Sequence, residues 1–259
     1  MRLERDGAVA ILVLQRHEVL NAFNEQLTSE LGVALEEVRH DTGVRAVVIT
    51  GAGRGFSAGQ DLADRGAMIE AGGEVALGDE LRRRYHPITS TIRAMPKPVI
   101  AAVNGVAAGA GLGLALACDV RVAAASATFR AAWARVGLVP DAGAAYFLPR
   151  LVGWGRAMDM VLSGDAVGAD DALRLGLVTR VWPDREFEDE WRAYARALAA
   201  GATQAFALSK EALDASAERD LSSFFEIEAE LQDRAGRTRD YAEGVRAFRG
   251  KRRAEFEGR

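Results

Sequence analysis

Apolar positions along the chain follow two periods. Val9 to Leu14 is an unbroken apolar run of strand length, and Arg45 to Thr50 is a second, β-branched one. Between them Leu27, Leu31, Ala34, Leu35 and Val38 recur at helical spacing, which predicts a helix over Asn24 to His40 with Asn24 as its cap. Another helical stripe, Leu77, Leu81, Tyr85, Ile88 and Ile92, runs on despite Pro87. Val99 to Val103 and Val120 to Ala124 read as further strands beside helical segments, so the first two-thirds alternates β and α. From about Arg185 the pattern is helical only, with stripes at Trp191, Tyr194 and Leu198, at Phe206, Leu208 and Leu213, and at Phe224, Ile227 and Leu231. The expected division is an α/β core over residues 1–184 and a helical C-terminal region over 185–259, packed on that core or on a neighbouring subunit. There is no internal sequence repeat, low-complexity linker or Pro-rich hinge.

Glycines punctuate the pattern. Gly51 to Gly59 forms a Gly-rich loop after the second strand, and Gly66, Gly72, Gly73 and Gly78 mark a stretch expected to be irregular or mobile. Val99 to Cys118 imitates a membrane span, since it carries no charge and only Asn104 is strongly polar. Asn104-Gly105 is a turn signal, however, and Gly109, Gly111 and Gly113 sit where a spanning helix would prefer bulk. The segment reads as a buried strand, a turn and a buried helix beginning near Ala110, and no membrane association is expected.

With 259 residues and 49% hydrophobic composition, the chain can bury a full core without metal or disulfide staples. The single cysteine, Cys118, cannot form an intramolecular disulfide, and its neighbours in LALACDV suggest a buried small hydrophobe in a reducing compartment. The opening MRLERDGAVAILVL is strand-like and has no secretory pattern, which points to a cytoplasmic protein. A net charge of -4 and a pI near 5.6 argue against a nucleic-acid surface. The one basic cluster, Arg249, Lys251, Arg252 and Arg253, reads as a solvated tail or as an anion contact.

The loop GAGRGFSAGQD matches two motifs in part. Gly51-Ala52-Gly53 is close to a dinucleotide fingerprint, but Phe56 stands at the third glycine position and no helix opens on the loop. Gly55-Phe56-Ser57-Ala58-Gly59 fits a G-x-S-x-G nucleophile elbow. The histidines are His17, His40 and His86, so the base would have to be His86, before most of the sheet has formed. Three scattered histidines and one cysteine also give no transition-metal site. What the loop offers is backbone: Ser57, Ala58 and Gly59 leave peptide N–H groups uncovered, as does Gly105 to Gly113. Two such turns aimed at one carbonyl oxygen, with a helix dipole starting near Ala110, would form an oxyanion hole. For either loop alone, tight packing is an equally good reason for the glycines.

Several motifs in order carry a family resemblance. Phe56-Ser57-Ala58-Gly59-Gln60-Asp61, Lys97-Pro98-Val99-Ile100-Ala101-Ala102-Val103-Asn104-Gly105, Leu116-Ala117-Cys118-Asp119 and Gly137-Leu138-Val139-Pro140-Asp141-Ala142-Gly143 resemble the crotonase, or enoyl-CoA hydratase/isomerase, superfamily. Leu148-Pro149-Arg150-Leu151-Val152-Gly153, Leu162-Ser163-Gly164 and Glu243-Gly244-Val245-Arg246-Ala247-Phe248 extend the match over nearly the whole chain. The resemblance implies a crotonase-like spiral of ββα turns with a helical C-terminal trimerisation region, assembled as a homotrimer or dimer of trimers. It implies an acyl-CoA thioester substrate and no separate cofactor, the coenzyme A being part of that substrate. It also implies oxyanion donors at the backbone N–H of Gln60 and Ala110, where side-chain identity matters little. The coenzyme would run past Asn21, Ala22, Ala58 and Leu62, with Phe248 and Lys251 supplied by another subunit.

The chain departs from the hydratases of that family, which use two glutamates to add water. Their positions are held by Gly113 and Trp133, neither of which transfers a proton, so hydration is not expected. One acid remains nearby, Asp141 in Val139-Pro140-Asp141-Ala142-Gly143. By itself it reads as a helix N-cap. Within the family pattern the turn borders the acyl pocket, and its Val-Pro-Asp form resembles the ring-epoxide isomerases of phenylacetate degradation, which act on 1,2-epoxyphenylacetyl-CoA. The implied chemistry is an enolate held at Gln60 and Ala110, with Asp141 removing a proton and returning it elsewhere. A water-poor setting would raise the Asp141 pKa and make it a better base. Asp61 reads as a loop-shaping residue beside the coenzyme path. The stretch Gly66 to Gly78 is expected to cover the acyl end. The alternatives are a Δ3,Δ2-enoyl-CoA isomerase of fatty-acid oxidation and a non-catalytic CoA-ester binding subunit.

Overall fold

The computed structural model describes residues 1–63, 66, 70 and 76–259. The irregular stretch expected at Gly72 and Gly73, and most of the expected cover between Gly66 and Gly78, lie outside the described residues.

The strands are β1 (Arg2–Asp6), β2 (Val9–Leu14), β3 (Ala46–Gly51), β4 (Gly55–Ser57), β5 (Val99–Val103), β6 (Val106–Ala108), β7 (Val120–Ala124), β8 (Thr128–Arg130), β9 (Ala166–Gly168) and β10 (Arg180–Trp182). The helices are α1 (Glu25–His40), α2 (Leu77–Glu80), a π-helical turn (Leu81–Tyr85), α3 (His86–Arg93), α4 (Ala110–Ala117), α5 (Ala144–Val152), α6 (Trp154–Ser163), α7 (Ala169–Arg174), α8 (Phe187–Ala199), α9 (Thr203–Ser216), α10 (Leu221–Gly236) and α11 (Arg239–Arg249). Asn24 caps α1 as expected, its side-chain oxygen accepting from the Leu27 N–H at 2.9 Å. Pro87 is the second residue of α3, which directly follows the π turn, and the wider winding of that turn interrupts the regular helical hydrogen bonding there.

Two sheets organise the chain, one in the order β1-β2-β3-β5-β7-β10 and one in the order β4-β6-β8-β9. Pairing is parallel except at β1–β2 and β8–β9. Each of β3, β5 and β7 belongs to the large sheet and is followed by a three-residue strand of the small one. Those pairs lead on to α2–α3, to α4, and to the 3-10 turn Ala132–Val136 with α5. This is a spiral of ββα turns, in which a structural repeat is present without a sequence repeat.

Helices cover the large sheet on both faces, which is why β2, β3 and β5 are apolar almost throughout. One face carries the main core with α1, α3 and α4. On the other, Phe187, Trp191, Ala195 and Ala199 of α8 pack on Val9, Ile11, Val48, Ile100 and Val122. The helical region beginning near Arg185 therefore opens with a layer of the core itself. The membrane-like segment resolves into β5, β6 and α4, and no described helix is long and apolar enough to cross a membrane.

Cys118 is buried, and desolvation pushes its thiol up to about 12. Within the basic end, Arg252 meets Glu243 at 2.5 Å.

Candidate functional site

The loop from Gly51 to Asp61 is built by polar side chains used internally. Asn21, fully buried and with φ of 55°, donates to the Ala52 and Gly55 carbonyls at 2.9 and 2.7 Å and accepts from the Arg16 N–H at 2.8 Å. Its side chain thus faces the loop and shapes it from within. Ser57, equally buried, donates to the Asn21 carbonyl at 2.8 Å and accepts from the Gly59 N–H at 3.2 Å. With its hydroxyl committed and His86 exposed, the nucleophile-elbow reading has no chemistry behind it.

Asp61 accepts from the Ala63 N–H at 3.2 Å and from Arg16 at 2.9 Å, and these two donors hold its carboxyl below the usual carboxylate range. Arg16 also donates to the Ala22 carbonyl at 2.7 Å. Asp61 is therefore the loop-shaping residue expected, and Arg16, unremarked in the sequence, is its partner. Because the folded state depresses this pKa, the stabilisation is present above about pH 4 and is lost as pH falls through the folded value. Asp61→Asn is expected to cost about 1 kcal/mol near pH 7. Denaturant titrations should find the gap to wild type closing in acid.

Two backbone turns then meet. Phe23 N–H donates to Gly59 C=O at 2.7 Å and Asp61 N–H to Phe23 C=O at 3.0 Å, a parallel bridge that turns the Gln60 N–H away from Phe23. Gly59 has φ of 93°, and a β-carbon there would lie 2.7 Å from Ala108 O and 3.2 Å from Ala110 N. Only glycine allows this approach. Ala110 is the first residue of α4, whose N–H has no partner within the helix. The structure thus brings the Gln60 and Ala110 peptides together. Ala58 is half-buried beside them, Ala22 is buried, and Leu62 is 47% exposed. Phe248 and Lys251 lie at the end of α11, where Phe248 is 86% exposed on this chain.

Gly113, Trp133 and Asp141 also converge. A β-carbon on Gly113 would lie 2.8 Å from the Ala142 β-carbon and 3.2 Å from the Asp141 carbonyl. The buried Trp133 indole N–H donates to Asp141 Oδ1 at 2.8 Å. Asp141 is not the cap of α5: that place belongs to Gly143, with no side-chain capping bond. Ala142, with φ of 49°, makes the turn between them, and its carbonyl accepts from Thr89 Oγ1 at 3.2 Å. Gly113 follows Ala110 by three residues, so the Asp141 turn packs about 5 Å along α4 from the Ala110 N–H. Tyr85 and Thr89, which touch this site, read in the sequence only as part of a core helix.

Among the described residues no cluster of three or more His, Cys, Asp or Glu could hold a metal ion. A cavity of about 770 Å³ between α3, α5, α9 and α10 contains Arg93, Lys210 and Arg234, each already paired with a carboxylate.

Comparison with known proteins agrees with this architecture. The family model described as enoyl-CoA hydratase/isomerase matches residues 4–259. A Rhodobacter capsulatus protein named probable enoyl-CoA hydratase is 45% identical over 259 residues, covering 100% of this chain and 98% of its own. The 1,2-epoxyphenylacetyl-CoA isomerase of Escherichia coli is 41% identical over 254 residues, covering 98% and 97%. The crystal structure of an enoyl-CoA hydratase from Polaromonas sp. JS666 superposes with a TM-score of 0.91 at 33% identity, covering 99% of both chains.

Proposed function

The chain belongs to the enoyl-CoA hydratase/isomerase family, and on that premise we propose that it is an acyl-CoA isomerase working through one carboxylate, on a ring-epoxide thioester of the 1,2-epoxyphenylacetyl-CoA type. The observation that carries this reading is the convergence of Gly113 and Trp133 on Asp141. Adding water takes one group to activate it and one to protonate the adjacent carbon. Here the first position has no room for a side chain, and the second is filled by an indole that donates to the remaining acid. An isomerisation consumes no net proton, so one carboxylate suffices.

In the proposed reaction the thioester carbonyl accepts hydrogen bonds from the Gln60 and Ala110 N–H groups. Asp141 takes the α-proton, and the C–H electron pair moves into the enolate, whose oxygen the two donors stabilise. The enolate electrons then return and open the neighbouring C–O bond of the epoxide. Asp141, now protonated, gives its proton to the leaving oxygen. Apart from the coenzyme A of the substrate, no cofactor is required. Exposed apolar side chains on the C-terminal helices, among them Leu213, Leu221, Phe225 and Phe248, support assembly as a trimer or dimer of trimers, with Phe248 and Lys251 serving a neighbour's coenzyme.

The test is α-proton exchange in deuterated water with the epoxide thioester, set against hydration of crotonyl-CoA. Rapid exchange and rearrangement without hydration is expected. Hydration at an enoyl-CoA hydratase's rate would overturn the reading. A related expectation concerns Gly113→Glu, which restores the residue type of a hydratase. Overpacking against Ala142 should cost roughly 1–3 kcal/mol and give no hydration, as thermal melts and a crotonyl-CoA assay would report.

A further inference from the structure

We infer that Tyr85 and Thr89 are positioning residues that keep the two halves of this site in register; the inference deepens the function proposed above and rests on it. The two are four residues apart on one helical stretch and so lie on the same face.

Tyr85 is buried, and its hydroxyl donates to the side-chain oxygen Oε1 of Gln60. The other end of that side chain, Nε2, donates to the Asp61 carbonyl at 3.2 Å. Gln60 is therefore held at both ends. Rotating the Gln60 peptide, and with it the N–H that faces the bound carbonyl, would break both contacts. The Tyr85 ring is itself braced by an edge contact with Phe23 at 6.1 Å, and Phe23 is the residue whose backbone bridges Gln60.

Thr89 acts on the other half. Its hydroxyl donates to the carbonyl of Ala142, the residue in the left-handed region that aims Asp141. Such a conformation is disfavoured for a residue with a β-carbon and persists only where surrounding structure fixes it. The π turn Leu81–Tyr85 ends on Tyr85 itself and resets the helical register ahead of Thr89, and such turns are frequent at functional sites. One helix thus braces the loop that binds the carbonyl and the turn that carries the acid.

The prediction separates the two hydroxyls from each other and from simple packing, because Tyr85→Phe and Thr89→Val keep the shape of each side chain. The readouts are the carbonyl stretch of bound, isotopically labelled phenylacetyl-CoA by infrared difference spectroscopy, and α-proton exchange resolved into KM and kcat. Wild type should lower the stretch relative to free thioester. Tyr85→Phe should reverse part of that shift, moving the stretch back toward the free thioester, and lower kcat roughly tenfold with KM little changed, less than the hundredfold or more for outright loss of an oxyanion donor. Thr89→Val should leave the stretch at its wild-type position while lowering kcat roughly tenfold. Should Tyr85→Phe fail to fold, Gln60→Met removes the same acceptor and must give the same change in stretch. A wild-type stretch and rate in Tyr85→Phe overturns the role of Tyr85. A wild-type rate in Thr89→Val, or a stretch moved as in Tyr85→Phe, overturns that of Thr89. If wild type binds the thioester without shifting its carbonyl, the proposed function falls and takes this inference with it.

Discussion

Replacing Asp141 by asparagine is expected to lower isomerisation and α-proton exchange by about a thousandfold while leaving thioester binding within a factor of about two. The asymmetry follows from what the side chain touches. Asparagine keeps the shape and can still accept from the Trp133 indole through its amide oxygen, so the turn at Ala142 and the packing on Gly113 are preserved. What is lost is the capacity to hold a proton between the two steps. In the proposed site, binding is assigned to the Gln60 and Ala110 peptides and to contacts along the coenzyme, none of which involves the Asp141 carboxylate. Exchange measured by proton NMR in deuterated water, beside calorimetric titration with phenylacetyl-CoA, separates the two effects. A variant that exchanged at the wild-type rate would leave Asp141 with a structural role only.

Trp133→Phe is the second large effect expected, about a hundredfold on turnover with a smaller change in binding. Phenylalanine fills much of the buried space but removes the only hydrogen-bonding atom of the side chain, the N–H that lies 2.8 Å from Asp141 Oδ1. Without that donor the carboxylate loses one of the contacts that orient it, and a displacement of about 1 Å is enough for a loss of this size. The pH profile adds a signature that loss of packing does not give. A donor to the charged carboxylate favours ionisation, so its removal should move the acidic limb of the rate profile to higher pH. A profile that fell uniformly, with no shift of that limb, would assign Trp133 to packing alone.

The sequence carried a good deal of this. Long elements with a clear period, such as β2, α1 and β5, appear where the apolar pattern puts them, because fully buried parallel strands and a one-sided helix leave little choice of residue. The short strands β4, β6 and β8 were not legible: three residues hold too little periodicity to register, and their place is set by the sheet they join. α11 was also unread as a helix, since only Asp240 and Ala247 are buried and its larger apolar side chains, Tyr241, Val245 and Phe248, are exposed. Within the site, the positions where hydratases carry acids stood out as Gly113 and Trp133, and the structure places both against Asp141. The loop-building part that the Asn21 side chain plays was not legible, because a left-handed asparagine in a loop looks the same whether it faces a ligand or its own backbone. Arg16, Tyr85 and Thr89 left no signal, because each contacts the site through a tertiary hydrogen bond to a residue distant in sequence. Tyr85 looked like one more apolar position in a helical stripe, and only its hydroxyl distinguishes it.

The central claim is that this member of the family moves a proton and adds no water. The most direct measurement is mass spectrometry of the product formed from 1,2-epoxyphenylacetyl-CoA in heavy-oxygen water. The account predicts a product of the same mass as the substrate, with no solvent oxygen in the acyl group. A product heavier by one molecule of water and carrying the solvent's oxygen label would contradict it.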